Sequence, residues 1–440
     1  MKVLGKKEFV ESLQARAGAL YDSELVSTVT ALIDDVRKRG DCALVEYTRR
    51  FDGVDYGRRR GGAQFEVQPG EIEAAYEGVD AAALEAIRFA VDRVREYSRN
   101  TMTSNTRPAQ VGPGVLGRVY RAVDSAGLYI PGGRKPYIST AIMTAVPAGV
   151  AGVRTVVACT PPRPDGGVDP HILVACGEAG VDRIFKVGGA QAIAAMAYGS
   201  ETVPRVDKIV GPGNRYVTAA KRLVYGDTGI DSLAGPSEVA ILADETANPD
   251  WVAADLFAQV EHGADSRAAL LSTSAGVIGE VGRRLMLAGA EEEDPRVVGV
   301  PCDSLAEALG LVNRMAPEHL QVMTADPIEV LPLVRSAGAI LIGGYSPAAL
   351  GDYAAGPSHV LPTGGAARFS SGLTADDFMV SSSLVWGSRT GMRAAVEAAA
   401  VLADLEGFVM HARALRARLG DGAGPEDAES TFPGGGVGMR

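Results

Sequence analysis

Apolar positions recur along this chain with two different periods. Between Ala81 and Tyr97 they fall at Leu84, Ile87, Val91 and Val94, which is one face of a helix. From Leu128 the pattern changes to short apolar runs separated by helical ones, as in a parallel sheet covered on both faces. Strands are predicted from Gly127 through Ile130, at Thr155 to Ala158, Arg183 to Val187 and Lys208 to Val210, and again at Val239 to Leu242. Asn248 as N-cap, Pro249 in the first turn, Asp250 at the positive end and Gly263 as a stop predict a helix ending at His262. Ser304 with Glu307 reads as a capping box for a further helix, which Pro317 should end. After Asp376 the chain is expected to be helical, and beyond Leu419, where Gly, Pro and acidic residues dominate, disordered.

Glycine-rich turns divide into two kinds. Gly112-Pro113-Gly114-Val115-Leu116-Gly117 fits the GxGxxG fingerprint letter for letter, but polar SNTRPAQ precedes it and strand-like RVYRAV follows. A dinucleotide fingerprint needs a strand before and a helix after. The run is therefore read as a loop entering a hairpin whose turn is Asp124 to Gly127. Three other turns, Pro131-Gly132-Gly133, Gly188-Gly189-Ala190-Gln191 and Gly211-Pro212-Gly213-Asn214, follow predicted strands, and open α/β sheets bind ligands at carboxyl ends. Any one of them also suits a tight turn that needs Gly for its backbone. Three in one domain favour a nucleotide site.

A length of 440 residues exceeds one ordinary core and predicts two or three domains. With 46% hydrophobic and 22% charged residues and a net charge of -11, the chain is unsuited to nucleic acid or an anionic membrane, which leaves small molecules as partners. Cys42, Cys159, Cys176 and Cys302 form no CxxC, so neither a zinc knuckle nor a disulfide framework is expected. The start lacks a sustained apolar segment, and no window reaches the length of a membrane span. A cytoplasmic location is the expectation.

The five histidines carry the candidate chemistry. His171, after Asp169-Pro170 at a helix start, is read as a surface or satisfied residue. His262, His319, His359 and His411 sit beside an acid, a Gln or a Gly-rich loop. Gln259 and His262, three residues apart, share a face of the last helical turn, which fits either half a metal site or a solvated helix end. Adding Asp352 and His411 gives nitrogen and oxygen donors compatible with zinc, leaving Glu318-His319 as an acid/base pair. Placement after a helix stop, on irregular backbone, would let both point into one pocket, whereas neighbours on a strand face opposite ways.

The runs KVGGAQAIAAMAYG, VDKIVGPGNRYV, GIDSLAGPSEV, DLFAQVEHG, APEHL, GDYAAGPSHVLPT and LEGFVMHA together, in this order, resemble the histidinol dehydrogenase family. The resemblance implies an α/β fold with two Rossmann-like domains that lack the GxGxxG fingerprint, plus small helical N- and C-terminal segments. The expected organisation is a helical segment at 1–24, a discontinuous catalytic domain at 25–128 and 235–373, an NAD-binding domain at 129–234, a helical tail at 374–418 and a disordered end at 419–440. It also implies oxidation of L-histidinol through the aldehyde to L-histidine by NAD, in a homodimer whose active sites are shared. Zinc would be held by Gln259, His262 and Asp352 with His411 of the partner subunit, and Glu318 and His319 would accept protons. NAD contacts fall on Tyr129, Gln191 and Asn214. Substrate contacts fall on Ser237, His319, His359 and Glu406 together with the metal ligands. The chain departs from the family's usual Tyr-Pro-Ser-Ser and Met-Asn pattern at Ile138, Thr140 and Thr144, and has Ser358 where Asn is usual. These positions border the site, so two alternatives stay open: a related zinc- and NAD-dependent enzyme of another alcohol, such as sulfopropanediol dehydrogenase, and a zinc hydrolase using Glu318 to activate water.

Overall fold

The computed structural model describes residues 1–14, 23–57, 65–103, 109–111, 114–132, 135–291, 294–387 and 389–419. They form two compact units, one of residues 1–102 and 122–378, the other of 103–121 and the chain from 379. In chain order the strands are β1 (Lys2–Val3), β2 (Ala109–Val111), β3 (Gly114–Ala122), β4 (Ser125–Tyr129), β5 (Thr155–Cys159), β6 (Arg183–Phe185) and β7 (Lys208–Val210). They continue with β8 (Gly229–Ile230), β9 (Glu238–Ala243), β10 (Arg267–Ser272), β11 (Val297–Pro301), β12 (His319–Met323), β13 (Ala339–Ile342) and β14 (Met379–Gly387).

Two parallel sheets build the first unit, in the orders β6-β5-β4-β7-β8 and β1-β11-β10-β9-β12-β13. With β1 set aside, both have their first strand central, the next two on one side and the last two on the other. This is the doubly wound α/β order, with the chain switching direction beside β4 and β7 in one sheet and β9 and β12 in the other. All six residues of β9 are buried, as a strand covered on both faces requires.

Helices Ser23–Arg39, Gly189–Tyr198 and Arg215–Val224 pack together on one face of the five-stranded sheet, burying Leu25, Val29, Ile33 and Val36. On its other face, Pro69–Gly78 and Ala81–Thr101 lie against Ile138–Ala151 and Pro170–Ala179. The helices of 23–101 thus cover the five-stranded sheet rather than the six-stranded one with which 25–128 was grouped. Parallel strands need cover on both faces, and the crossover helices of this sheet leave room that those amphipathic stripes fill. At the N-terminus, β1 and helix Lys6–Gln14 join the six-stranded sheet, where Lys6 binds Asp303 and Glu307 at 2.7 Å each.

The turn expected at Asp124 to Gly127 is not a hairpin. Ser125–Tyr129 is the central strand β4, and parallel partners on both sides, β5 and β7, satisfy its backbone. The hairpin lies earlier, between antiparallel β2 and β3, paired from Ala109↔Leu116 to Val111↔Gly114; residues 112 and 113 of the decoy fingerprint lie outside the described residues. Residues 379–387, expected to be helical, form β14 beside β3. Three serines followed by Leu384-Val385-Trp386 suit a pleated strand better than a helix. Helices Arg389–Leu405 and Val409–Arg416 follow, and the tail expected to be disordered, 420–440, lies outside the described residues.

Caps are placed as read, with small shifts. Asn248 accepts the Asp250 N–H at 2.9 Å, but helix Pro249–Val260 stops before His262. Ser304 accepts the Glu307 N–H at 3.2 Å, while the Glu307 carboxylate takes the Asp303 N–H at 2.7 Å, so only half of the reciprocal box forms. Among the described residues no helix is long and apolar enough to cross a membrane.

A buried ion pair fixes the turn after β7. Lys221 pairs with Asp231, and both side chains are almost wholly buried. Lys221 Nζ donates to the Gly211 carbonyl at 2.9 Å, and Asp231 Oδ2 accepts the Gly211 N–H at 2.8 Å. Gly211 has φ +118°, and a Cβ there would lie 2.2 Å from the Tyr129 carbonyl oxygen, so no other residue fits. Lys221→Met would strand a buried carboxylate and should lower the unfolding free energy by about 3–5 kcal/mol. Adding Asp231→Leu should recover most of that loss, because the unpaired charge carries the penalty. Urea unfolding measures both, and a double variant as unstable as the single one would rule this account out.

Candidate active site

A cleft of about 2500 Å³ in the first unit lies between turns at the carboxyl ends of β4 and β7 and the amino ends of β9 and β12. Amino edges of parallel strands offer N–H groups without strand partners, and these suit carboxylates. Glu318 uses one: its Oε2 accepts the Glu238 N–H at 2.9 Å. His319, expected on irregular backbone, instead opens β12 and lies opposite Val239 and Ala339 in the sheet. The pair still shares one cleft because Glu318 precedes the strand, its Oε2 3.8 Å from His319 Nδ1.

Burial pushes the Glu318 carboxyl up to about 7, against the His319 charge and the Glu238 N–H, which favour ionisation. Burial alone would lower the His319 imidazole, but a hydrogen bond to Asp352 and the Glu318 charge outweigh it and raise it. His319 Nε2 is 3.1 Å from Asp352 Oδ1, and its buried Nδ1 has no hydrogen-bond partner. A carboxyl that exchanges its proton near neutrality thus stands beside an imidazole with one nitrogen unengaged. This is the equipment of acid/base catalysis.

Gln259 is buried on the last turn of its helix, and its amide nitrogen has no protein partner. His262 follows the helix, exposed at the cleft. Asp352 sits on the short helix Ala348–Tyr353; burial would raise its carboxyl, but the hydrogen bond and charge of His319 hold it below the usual range. Among the described residues no three His, Cys, Asp or Glu side chains form a metal cage. Gln259, His262 and Asp352 line the same cleft, where the Gln259 amide oxygen, the His262 imidazole and the Asp352 carboxylate could serve as ligands. Such nitrogen and oxygen donors fit zinc with positions left open.

Across the cleft, the Tyr129 hydroxyl accepts the Gly189 N–H at 3.0 Å, and Asn214 caps helix Arg215–Val224 by accepting the Tyr216 and Val217 N–H groups. Both residues face the cleft, as do Ser237 and His359. Gln191 is buried with its amide nitrogen unpartnered. Glu406 and His411 belong to the second unit, where both are exposed around its helix pair and the His411 ring lies 5.2 Å from that of Phe408. His171 pairs with Asp169 at a helix start, in keeping with its reading as a satisfied residue.

Three polar residues escaped the sequence reading. Glu238, just ahead of the strand predicted at Val239 to Leu242, supplies the N–H to Glu318. Asp255 accepts the Gln321 amide at 2.8 Å. The signal for this pair was present: Asp255 lies four residues before Gln259 on one helix face, and Gln321 two after His319 on one strand face.

The histidinol dehydrogenase family model matches residues 16–419. The histidinol dehydrogenase of Clostridium acetobutylicum is 43% identical over 425 residues, covering 94% of this chain and 97% of its own length. That of a Synechococcus strain is 46% identical over 403 residues, with 89% and 92% covered. The crystal structure of histidinol dehydrogenase from Elizabethkingia anophelis matches with a TM-score of 0.88 at 32% identity, covering 95% of this chain and 98% of that one. Sequence likeness over nearly the full length, with a matching fold, means that this chain belongs to the histidinol dehydrogenase family of oxidoreductases.

Proposed function

We propose that the protein is a cytoplasmic, zinc-dependent enzyme that oxidises L-histidinol to L-histidine in two successive NAD-dependent steps. The observation that carries this reading is the buried Glu318-His319 pair, set beside Gln259, His262 and Asp352 in one cleft. Gln259, His262 and Asp352, with His411 of the partner subunit, would hold the zinc. When bound, zinc supplies an anchor for the substrate imidazole and amine, and NAD supplies the hydride acceptor. His319 takes the hydroxyl proton in the first oxidation. Glu318 removes a proton from the water that attacks the aldehyde in the second, a role suited to a carboxyl with its pKa near neutrality. Tyr129, Gln191 and Asn214 would flank the dinucleotide; Ser237 and His359, with Glu406 of the partner subunit, would complete the substrate pocket.

Sharing of each site between two chains is supported by the second unit, whose helix pair exposes Val401, Leu402, Leu405, Phe408, Val409 and Met410. Apolar surface of that extent suits a protein partner. The substrate assignment is favoured over another alcohol because Thr144 and Ser358, two of the departures near the site, spend their hydroxyls on backbone carbonyls.

The direct test is NADH formation with histidinol against a panel of small alcohols, with and without a chelator. Histidinol should be preferred and the chelator should abolish turnover; preference for another alcohol would overturn the substrate, and indifference to the chelator the metal.

The acid/base pair should separate by half-reaction. Glu318→Gln should spare alcohol oxidation more than aldehyde oxidation, whereas His319→Asn should slow both. Equal losses in both steps for both variants would refute the division. Because the folded Glu318 value of about 7 lies above the ordinary 4.5, the folded chain holds this proton more tightly than the unfolded one. Ionisation therefore costs stability progressively across that window and nothing further above it. The stability advantage of Glu318→Gln over the wild type should grow from pH 4.5 to 7 and then level off in urea unfolding. A pH-independent advantage would show that this carboxyl does not titrate there.

Mixed dimers test the shared site. Co-expressing His262→Ala chains with His411→Ala chains puts both lesions into one site and leaves the other intact, so about half a dimer's activity should return from inactive parents. A verified hybrid without activity would confine each site to one chain.

A further inference from the structure

Three positions at which the chain departs from its family's usual pattern turn their hydroxyls into the protein. Thr144 Oγ1 donates to the Thr140 carbonyl at 2.6 Å, and Ser358 Oγ donates to the Met143 carbonyl at 3.1 Å while accepting the Val360 N–H at 3.2 Å. The third is Thr140, buried in the first turn of Ile138–Ala151, whose Oγ1 lies 3.1 Å from His359 Nε2. His359 Nδ1 is 2.9 Å from the Asp352 carbonyl oxygen. A carbonyl has no proton to give, so Nδ1 must carry one. In a neutral imidazole the other nitrogen is then an acceptor, and the Thr140 hydroxyl is the donor it meets. Both nitrogens are engaged within the protein.

The geometry points to Thr140 as a positioning residue: its hydroxyl holds the His359 ring through Nε2, so that the Nδ1–H set by the Asp352 carbonyl anchors the Asp352 backbone and with it the carboxylate beside His319. The inference rests on the reading of His319 as the proton acceptor. The chain of contacts runs from Thr140 through His359 and Asp352 to His319 Nε2, 3.1 Å from Asp352 Oδ1. It joins a helix of the five-stranded sheet to the base at the edge of the six-stranded one. Valine at 140 would keep the shape and remove the donor, leaving Nε2 without its partner. The ring recovers a partner for Nε2 only by turning away from position 140, and that gives up the Asp352 anchor. Serine keeps the donor.

The test compares Thr140→Val and Thr140→Ser in the full-length, metal-loaded enzyme. Turnover with histidinol and NAD is measured together with nitrogen-15 spectra of the five histidines, which report each ring's tautomer. Thr140→Val should lose about tenfold or more in kcat, with KM within about twofold, as expected for a base displaced by a fraction of an ångström. Thr140→Ser should stay within about twofold of the wild type. His359 should be the Nδ1–H tautomer in the wild type and the serine variant, with the Nε2 signal of a hydrogen-bonded nitrogen that the valine variant loses. Wild-type kcat in Thr140→Val, equal losses in both variants, or a wild-type His359 protonated at Nε2 would each overturn the assignment. Should the valine variant not fold, the wild-type tautomer and the serine variant decide it. Should the wild type make no NADH from histidinol, the proposed function has failed, while the tautomers still judge Thr140.

Discussion

A carboxyl group buried against the amino edge of a parallel sheet sets the terms for everything around it. Ionising Glu318 in that position costs free energy, and the site offsets the cost with the Glu238 N–H and the neighbouring His319. Those compensations exist because β9 and β12 run side by side with His319 opposite Val239, which brings Glu238 next to Glu318. His319 is in turn held by Asp352, and Asp352 through its backbone by His359. The chemistry of the site is thus inherited from a strand register.

The two sheets share one order of strands yet serve the cleft from opposite ends. In the five-stranded sheet the rule for open α/β folds holds: the turns after β4 and β7 reach the cleft at the switch of direction. In the six-stranded sheet the residues that matter stand at the amino ends of β9 and β12. Carboxyl ends suit a ligand bound by turns and helix N-termini, whereas an amino edge supplies the N–H groups that a buried catalytic carboxylate needs.

Much of this was legible in the sequence. Short apolar runs gave the central strands, and Asn248, Pro249 and Ser304 marked helix starts to the residue. Gln259, His262, Glu318, His319 and Asp352 were picked from residue type and spacing, and they meet in one cleft. What escaped depended on partners distant in sequence. Ser125–Tyr129 is a strand because β5 and β7 lie beside it, its residues pairing from Ser125↔Thr155 on one side and Ala126↔Lys208 on the other, while Asp124 to Gly127 by itself reads as a turn. The helices of 23–101 carry amphipathic stripes that would fit either sheet, so their pattern names no partner. Thr140 and His359 are 219 positions apart, and no local pattern joins them.

The alternation along β12 has an evolutionary consequence. His319 and Gln321 face the helix that carries Asp255 and Gln259, while Leu320 and Val322 enter the core on the other side. Deleting one residue just ahead of the strand would put leucine where the base belongs, and inserting one would drive the imidazole into hydrocarbon. Drift toward new substrates in such a protein is therefore channelled into the loops, where length is free to change, and the strand that holds the base admits point substitutions alone.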